Sequence, residues 1–311
     1  MKAIITRRQV IPTLPSASGV EWIGNQGYII GDDSPWLYVL NDQWAIVQKA
    51  ALFTAEPLAD PKKRTDWANN QDRRMAKKIK PDYETITQLQ MGSTAALLIA
   101  GSGSKSPQRD NAFLIQLGNA IQANWISLTP LYDQLRAMPQ VVGSGKLNVE
   151  GLAANHDSVC LLQRGNITGN NVVIQYDLPA FVAYLTGQQP LLPTPIVSRF
   201  ELPFLAGIQA GFSGATFLPH SSTLLFTASV ENTADEISDG ESLGSLVGMI
   251  DLQQPSTSLS WAWITENGLP FTGKVESIAI QEGTSITGLT AIAVTDNDCG
   301  DSEILEVRID W

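Results

Sequence analysis

The chain has little histidine, little cysteine and little positive charge, and each scarcity narrows what it can do. Two cysteines in 311 residues, Cys160 and Cys299, give neither a disulfide framework nor the paired spacing of a zinc site. Cys160 sits in an apolar run as a small core residue, and Cys299 falls in a polar turn. The two histidines, His156 and His220, both fall in turns between first and second strands, away from the candidate site below, so a serine–histidine esterase is not expected. Lys and Arg number 20 against 31 Asp and Glu, a formal charge of −11. That balance does not suit nucleic acid or an anionic membrane, whose contacts need phosphates neutralised by Lys and Arg. It suits cations or cationic ligands, or simply keeps the protein in solution. No run of 18 apolar residues occurs, and Met1–Arg8 lacks the apolar stretch of a secretion signal. No transmembrane helix is expected, and a cytoplasmic location is.

What the chain does have is repetition. The run Lys146-Leu147-Asn148-Val149-Glu150-Gly151-Leu152 leads into a second apolar run ending Gln163-Arg164-Gly165. It recurs as Asp82-Tyr83-Glu84-Thr85-Ile86 leading to Gly101-Ser102-Gly103, and as Lys274-Val275-Glu276-Ser277-Ile278 leading to Thr295-Asp296. Two copies carry Ser for Glu: Ser18-Gly19-Val20 leading to Gly31-Asp32-Asp33, and Ser213-Gly214-Ala215 leading to Thr227-Ala228-Ser229. The aligned positions Ser18, Glu84, Glu150, Ser213 and Glu276 are 66, 66, 63 and 63 residues apart. Such a period marks units that bury their apolar faces only against a neighbour. A chain of 311 residues, 43% hydrophobic and 16% charged, exceeds the size at which one compact core keeps growing, which also favours growth by repetition.

Within each unit, short apolar runs alternate with Gly, Asn, Asp and Pro turns, the pattern of an antiparallel meander. The units fall at about 17–53, 82–129, 148–203, 213–265 and 274–311. A helical turn is expected at 131–138, and 180–185 is a further apolar segment. The last unit is one strand short, and the β-branched segment 3–11, ended by Pro12, is the strand in surplus. The fold class expected is therefore all-β: a single-domain, five-bladed β-propeller of four-stranded antiparallel blades over residues 1–311, its ring closed by the N-terminal strand. A six-bladed ring is the alternative and would draw on the stretch 54–80. That stretch holds eight of the 20 basic residues and reads instead as a solvated excursion or an anion-binding flap.

In a meander the start of the first strand lies beside the end of the second. One face should thus collect Ser18, Glu84, Glu150, Ser213 and Glu276 at the channel, with Asp32, Ser102, Arg164, Ser229 and Asp296 beside them. Like charges converging on a channel drive one another toward protonation unless something offsets them. Three offsets are available: a calcium ion held by Glu84, Glu150 and Glu276, Arg164 as an internal counter-ion, or a carboxyl pair sharing a proton. A purely structural use is also open, each Glu capping backbone N–H groups of the next blade.

The strand openings Val149-Glu150-Gly151-Leu152-Ala153 and Val275-Glu276-Ser277-Ile278-Ala279, and the phrases Lys80-Pro81-Asp82-Tyr83-Glu84 and Gly101-Ser102-Gly103-Ser104, resemble the repeats of bacterial esterase-like, phytase-like β-propeller proteins. The last two phrases resemble an uncharacterised cytoplasmic branch of that group. The resemblance spans nearly the whole chain and implies a propeller with a site on one face, often with calcium, and a hydrolase activity. On that basis a calcium-assisted hydrolase of a phosphoester, ester or lactone is expected, with Glu84, Glu150 or Glu276 handling a water. Arg164, Arg109 and Lys105 would hold a small-molecule substrate of anionic character. A non-catalytic propeller binding a small molecule or protein segment is the alternative. A glycoside hydrolase, with Trp36 and Trp67 as sugar platform, is the second alternative.

Overall fold

The computed structural model describes residues 1–52, 80–92, 94–118, 121–165, 170–232, 240–254, 258–285, 287–296 and 301–311. The basic connector up to residue 79, with Trp67, and also Cys299 lie outside the described residues. β1 (Lys2–Pro15) precedes β2 (Ala17–Ile23), β3 (Gln26–Gly31), β4 (Trp36–Leu40) and β5 (Ile46–Ala51), and β2 to β5 pair in order as one antiparallel sheet. The pattern repeats in β6 (Tyr83–Met91), β7 (Thr94–Gly101), β8 (Asn111–Gln116) and β9 (Gln122–Ser127), and again in β10 (Val149–Ala154), β11 (Ser158–Gln163), β12 (Asn171–Asp177) and β13 (Ile196–Phe200). A two-stranded hairpin, β14 (Phe204–Leu205) with β15 (Ile208–Gln209), leads to β16 (Gly211–Phe217), β17 (Thr223–Asn232), β18 (Glu241–Asp251) and β19 (Ser260–Glu266). β20 (Leu269–Pro270) folds back on β19, and β21 (Lys274–Ser285), β22 (Gly288–Asp296) and β23 (Asp301–Asp310) follow.

The described helices are confined to connections. α1 (Thr129–Arg136) and α2 (Pro139–Val142) lie between β9 and β10, and α3 (Leu178–Leu185) lies between β12 and β13. The apolar segment at 180–185 is therefore helical. The Asp177 carboxylate caps it, accepting from Ala180 N at 2.9 Å, as an N-cap Asp should. None of these helices is long and apolar enough to cross a membrane.

β1 supplies the strand that the last unit lacks. It pairs antiparallel with β23 from Lys2 opposite Asp310 to Pro15 opposite Asp301, so the order there is β21-β22-β23-β1. Two parallel pairs, Ala3 with Ile264 and Ile4 with Thr265, also tie it to β19. The strand is longer at both ends than the 3–11 expected.

The first strands of the sheets touch in cyclic order: β2 with β6, β6 with β10, β10 with β16, β16 with β21, and β21 with β2. Each pair of adjacent sheets encloses its own apolar core, and the last of these packs Ala279, Ile292 and Val294 against Trp22, Ile29 and Tyr38 of the first sheet. Strand alternation explains how one strand serves two cores. In β11, Val159 and Leu161 face the core shared with the second sheet, while Cys160 and Leu162 face the core shared with the next. Both faces are buried, so the middle strands read as continuous apolar runs. Sheets arranged radially around a closed ring make a β-propeller.

Candidate functional site

The five repeat positions turn out to share a backbone device. Ala17 pairs with Gly31 and Gly19 with Ile30, so Ser18 is left without a partner. The same one-residue shift leaves out Glu84 between Tyr83 and Thr85, Glu150 between Val149 and Gly151, Ser213 between Phe212 and Gly214 and Glu276 between Val275 and Ser277. Each is a β-bulge, the extra residue that re-aims a side chain out of the alternation of its strand. The next position stays small where first strands crowd: a Cβ on Gly214 would lie 2.6 Å from Ser277 Cα and 2.8 Å from Glu276 O.

Serine and glutamate use the bulge differently. Ser18 Oγ donates to Tyr83 O at 2.5 Å, and Ser213 Oγ donates to Val275 O at 2.6 Å, so both serines seal one sheet to the next. None of the three bulged glutamates accepts a backbone N–H among the described residues. The structural capping role belongs instead to Glu21, which accepts from Gln88 N at 2.9 Å and from Trp22 N at 3.0 Å.

Around the glutamates, the chain's own cations sit between acids. Lys80 Nζ bonds the Asp32 carboxylate and lies 3.0 Å from Asp82 Oδ1. Asp82 also takes Arg109 Nη1 at 2.5 Å and the Ser102 hydroxyl at 2.5 Å. On the other side, Lys274 Nζ lies 2.8 Å from Glu231 Oε1 and 2.7 Å from Glu276 Oε1. Arg164 Nη2 lies 3.2 Å from Glu231 Oε1 and donates to Ser229 Oγ at 3.3 Å. Gly211 makes room for it, since a Cβ there would meet Arg164 Cγ at 2.8 Å. Glu150 stands between these groups and is held by Asn148 Nδ2 at 2.6 Å from Oε1.

Burial and charge set the protonation of these groups. Burial pushes Glu150 up to about 7; Arg164 and Lys274 pull it down, Glu276 and Asp82 push it up. Glu84 is raised well above its ordinary value, first by burial and then by Glu150, Asp82 and Asp32. Burial raises Asp32 to about 6 against the pull of Lys80, and it raises Glu276 against the pull of Lys274 and Arg164. At Glu231, Arg164 and Lys274 together outweigh burial and bring the carboxyl down to about 2.

Among the described residues, the oxygens that converge as a metal ligand set would are those of Asp32, Asp82 and Glu84, all within 4.8 Å of one another. Of the expected calcium ligands only Glu84 belongs to that set; Glu150 and Glu276 lie outside it. The donors are hard oxygens of the kind calcium takes, and Asp32 Oδ1 is buried without a partner, but Lys80 already occupies two of the three carboxylates.

Asp296 pairs opposite Lys274 and lines a cleft of about 610 Å³ with Arg8, Ser242, Phe271, Lys274 and Glu303. Lys105 is exposed, outside these ion pairs. Asn155 and Asp157 flank His156 in the turn from β10 to β11, and His220 lies in the turn from β16 to β17, so both histidines stand at the far ends of those strands. Gly240-Glu241-Ser242-Leu243-Gly244 has the spacing of a nucleophile elbow. Ser242 opens an antiparallel strand, however, not the strand-to-helix turn that the motif requires. Sequence reasoning also passed over Lys80, Asp82, Asn148, Glu231 and Lys274. Three of these, Asp82, Asn148 and Lys274, occupy one repeat position, two residues before the bulge, and that register was the signal for them.

No curated protein matches the chain. Among solved structures it is similar to the Myxococcus xanthus glutaminyl cyclase, at 11% identity over 99% of this chain and 96% of that one, with a TM-score of 0.51. It is also similar to the calcium-binding protein regucalcin from Agrobacterium tumefaciens, at 10% identity over 99% and 95% with a TM-score of 0.43, and to a Cellvibrio cellulosa α-L-arabinanase, at 9% over 97% and 93% with 0.47. The first likeness is one of fold alone, and the other two carry no argument. A family model spans nearly the whole chain, from residue 13 to residue 309, and the protein belongs to that family, the family of unknown function DUF6929.

Proposed function

We propose that this chain is a hydrolase of an ester, phosphoester or lactone, built as one five-bladed propeller domain over residues 1–311 and working at the channel mouth, with Glu150 as the proton-transferring carboxyl. The observation that carries the reading is the setting of Glu150: bulged out of its strand, partly exposed, oriented by Asn148 and poised at about 7. A carboxyl near the working pH is matched to taking a proton from water and returning it to a leaving group. Five four-stranded meanders with cyclic contacts support the blade count, and the resemblance to esterase-like, phytase-like propellers supports the reaction class. A cytoplasmic location belongs to the same reading.

Calcium has a narrower place than the sequence implies. Asp32, Asp82 and Glu84 would hold it once Lys80 withdrew, and a bound ion would polarise the oxygen under attack. Glu150 would keep its proton-handling role beside it.

The test is turnover of p-nitrophenyl acetate, p-nitrophenyl phosphate and a γ-lactone by the wild type and Glu150→Gln, with and without chelator. Wild-type turnover that falls about 100-fold or more in the variant, with the fold intact, supports the reading. Absence of turnover on all three and on their amine-bearing analogues, or equal turnover by the variant, sinks it. The non-catalytic reading is favoured by one observation, that Lys80, Arg164 and Lys274 are each already paired with acids. A sugar platform gains no support from Trp36, which packs against the apolar core between the last and first sheets.

A further inference from the structure

Two ammonium groups already show how this channel binds a cation. Lys80 Nζ is seated between the carboxylates of Asp32 and Asp82, and Lys274 Nζ between those of Glu231 and Glu276. Between these two seats stand Glu84 and Glu150, bulged from neighbouring first strands and partly exposed. Among charged groups Glu150 acts most strongly on Glu84. Among the described residues, no cation is seated between them. Among those residues Glu84 makes no hydrogen bond or ion pair, and Glu150 takes one neutral donor, Asn148 Nδ2.

Among the described residues, acceptors outnumber donors in the buried capacity left over around the channel. Arg164, Arg109, Lys80 and Lys274 are each paired with acids; of their fully buried N–H groups, Arg109 Nε lacks a partner. The acceptors are in surplus. Glu276, 5% exposed in its side chain, keeps Oε2 without a partner, and so does Asp32 at Oδ1. A buried acceptor without a donor costs free energy until something supplies one. Among the described residues, six acids (Asp32, Asp82, Glu84, Glu150, Glu231, Glu276) face four bases (Lys80, Arg109, Arg164, Lys274).

We infer that the channel's ligand carries a protonated amine, which sits between Glu84 and Glu150 as Lys80 and Lys274 sit between their own acid pairs. Resting on the hydrolase reading, this makes the substrate class an amine-bearing ester or lactone and reverses the anionic character expected from Arg164, Arg109 and Lys105. Charge-assisted hydrogen bonds from the ammonium orient the substrate, and Glu150 keeps its second oxygen for proton transfer.

The probes are butylammonium, its neutral analogue butanol, its anionic analogue butyrate, and calcium, each titrated into the chelator-treated wild-type protein by calorimetry. Butylammonium is expected to bind at least tenfold more tightly than butanol, with butyrate not binding, and Glu84→Gln and Glu150→Gln are each expected to weaken it tenfold or more. Because the wild-type comparison needs no variant, a variant that fails to fold leaves the test intact. Equal binding of all three organic probes, preference for butyrate, or binding of calcium but not butylammonium overturns the inference. Selective butylammonium binding without turnover of any ester sinks the hydrolase reading and leaves this one standing.

Discussion

Asn148 Nδ2 donates to Glu150 Oε1 at 2.6 Å, and Lys274 Nζ stands in the same sequence relation to Glu276 Oε1 at 2.7 Å. In both, the residue two places before a bulge holds the carboxyl that the bulge turns outward. The donor favours the ionised carboxylate. Asn148→Ala should therefore move the ionisation of Glu150 further up from about 7, and the acid limb of any pH–rate profile should move up with it. Carbon-13 NMR of labelled glutamate reads the change directly; an unmoved titration would remove Asn148 from the site.

The pH dependence of stability follows from the raised carboxyls. Glu150 at about 7 and Asp32 at about 6 lie above the range in which carboxyls of the unfolded chain lose their protons. Between roughly pH 4.5 and 7 the folded state thus binds more protons than the unfolded one, and stability falls as pH rises. Glu231 has the opposite sign: depressed to about 2, it stabilises above its ordinary range and loses that contribution as pH drops toward 2. The expected profile is a maximum near pH 5 with a decline on the order of a few kcal/mol by pH 8. Glu150→Gln should flatten part of the alkaline side, where Glu84, Asp82, Glu276, Arg164 and Lys274 also face the channel. Urea denaturation at pH 5 and 8 measures it; rising stability across that interval contradicts the burial argument.

The period was legible because the bulge is a backbone requirement repeated in every unit. Ser18, Glu84, Glu150, Ser213 and Glu276 could be aligned with no knowledge of the bulge itself. Their division of labour was not legible, since a bulged side chain faces either the next sheet or the channel and residue type alone does not say which. Ser18 and Ser213 reach a carbonyl one sheet away, a contact set by how closely the first strands approach. Lys80 belongs in sequence to a basic connector but acts as a counter-ion in the channel, and Glu231 extends a strand beyond its apolar run. Closure by the N-terminal strand could be deduced by counting, because one missing strand and one surplus strand must find each other.

Arg164 supplies a stability test. It is 5% exposed, and its guanidinium shares Glu231 with Lys274. Arg164→Met leaves a buried carboxylate with one cation in place of two and should destabilise the fold by roughly 3–5 kcal/mol. Arg164→Lys should recover little, because an ammonium on a shorter stem does not reach the position from which Nη2 meets both Glu231 and Ser229. Pairing each variant with Glu231→Gln in a double-mutant cycle isolates the pair; additive losses would show that Arg164 acts elsewhere.

Gly214 tests the crowding of first strands. A Cβ there would strike backbone atoms, Ser277 Cα at 2.6 Å and Glu276 O at 2.8 Å, and backbone cannot rotate away as a side chain end does. Gly214→Ala should cost about 1–3 kcal/mol and displace the neighbouring bulge, so probe binding at the channel should weaken as well. A variant as stable as the wild type would mean that β16 and β21 approach less closely than the closed ring requires.

Lys80 decides whether the acid group accepts a metal. Its ammonium sits on two of the three carboxylates that converge there, so in the wild type a divalent ion must first displace a cation held by those charges. Lys80→Met removes the competitor and leaves Asp32, Asp82 and Glu84 repelling one another, which a hard divalent ion relieves. The variant should be less stable than the wild type in chelator and should regain stability with millimolar calcium, the gain growing with the logarithm of concentration above Kd as mass action requires. The wild type should respond less at every concentration. A wild type stabilised by calcium as strongly as the variant would mean that Lys80 swings clear without cost, and the three carboxylates would then be a calcium site in their own right.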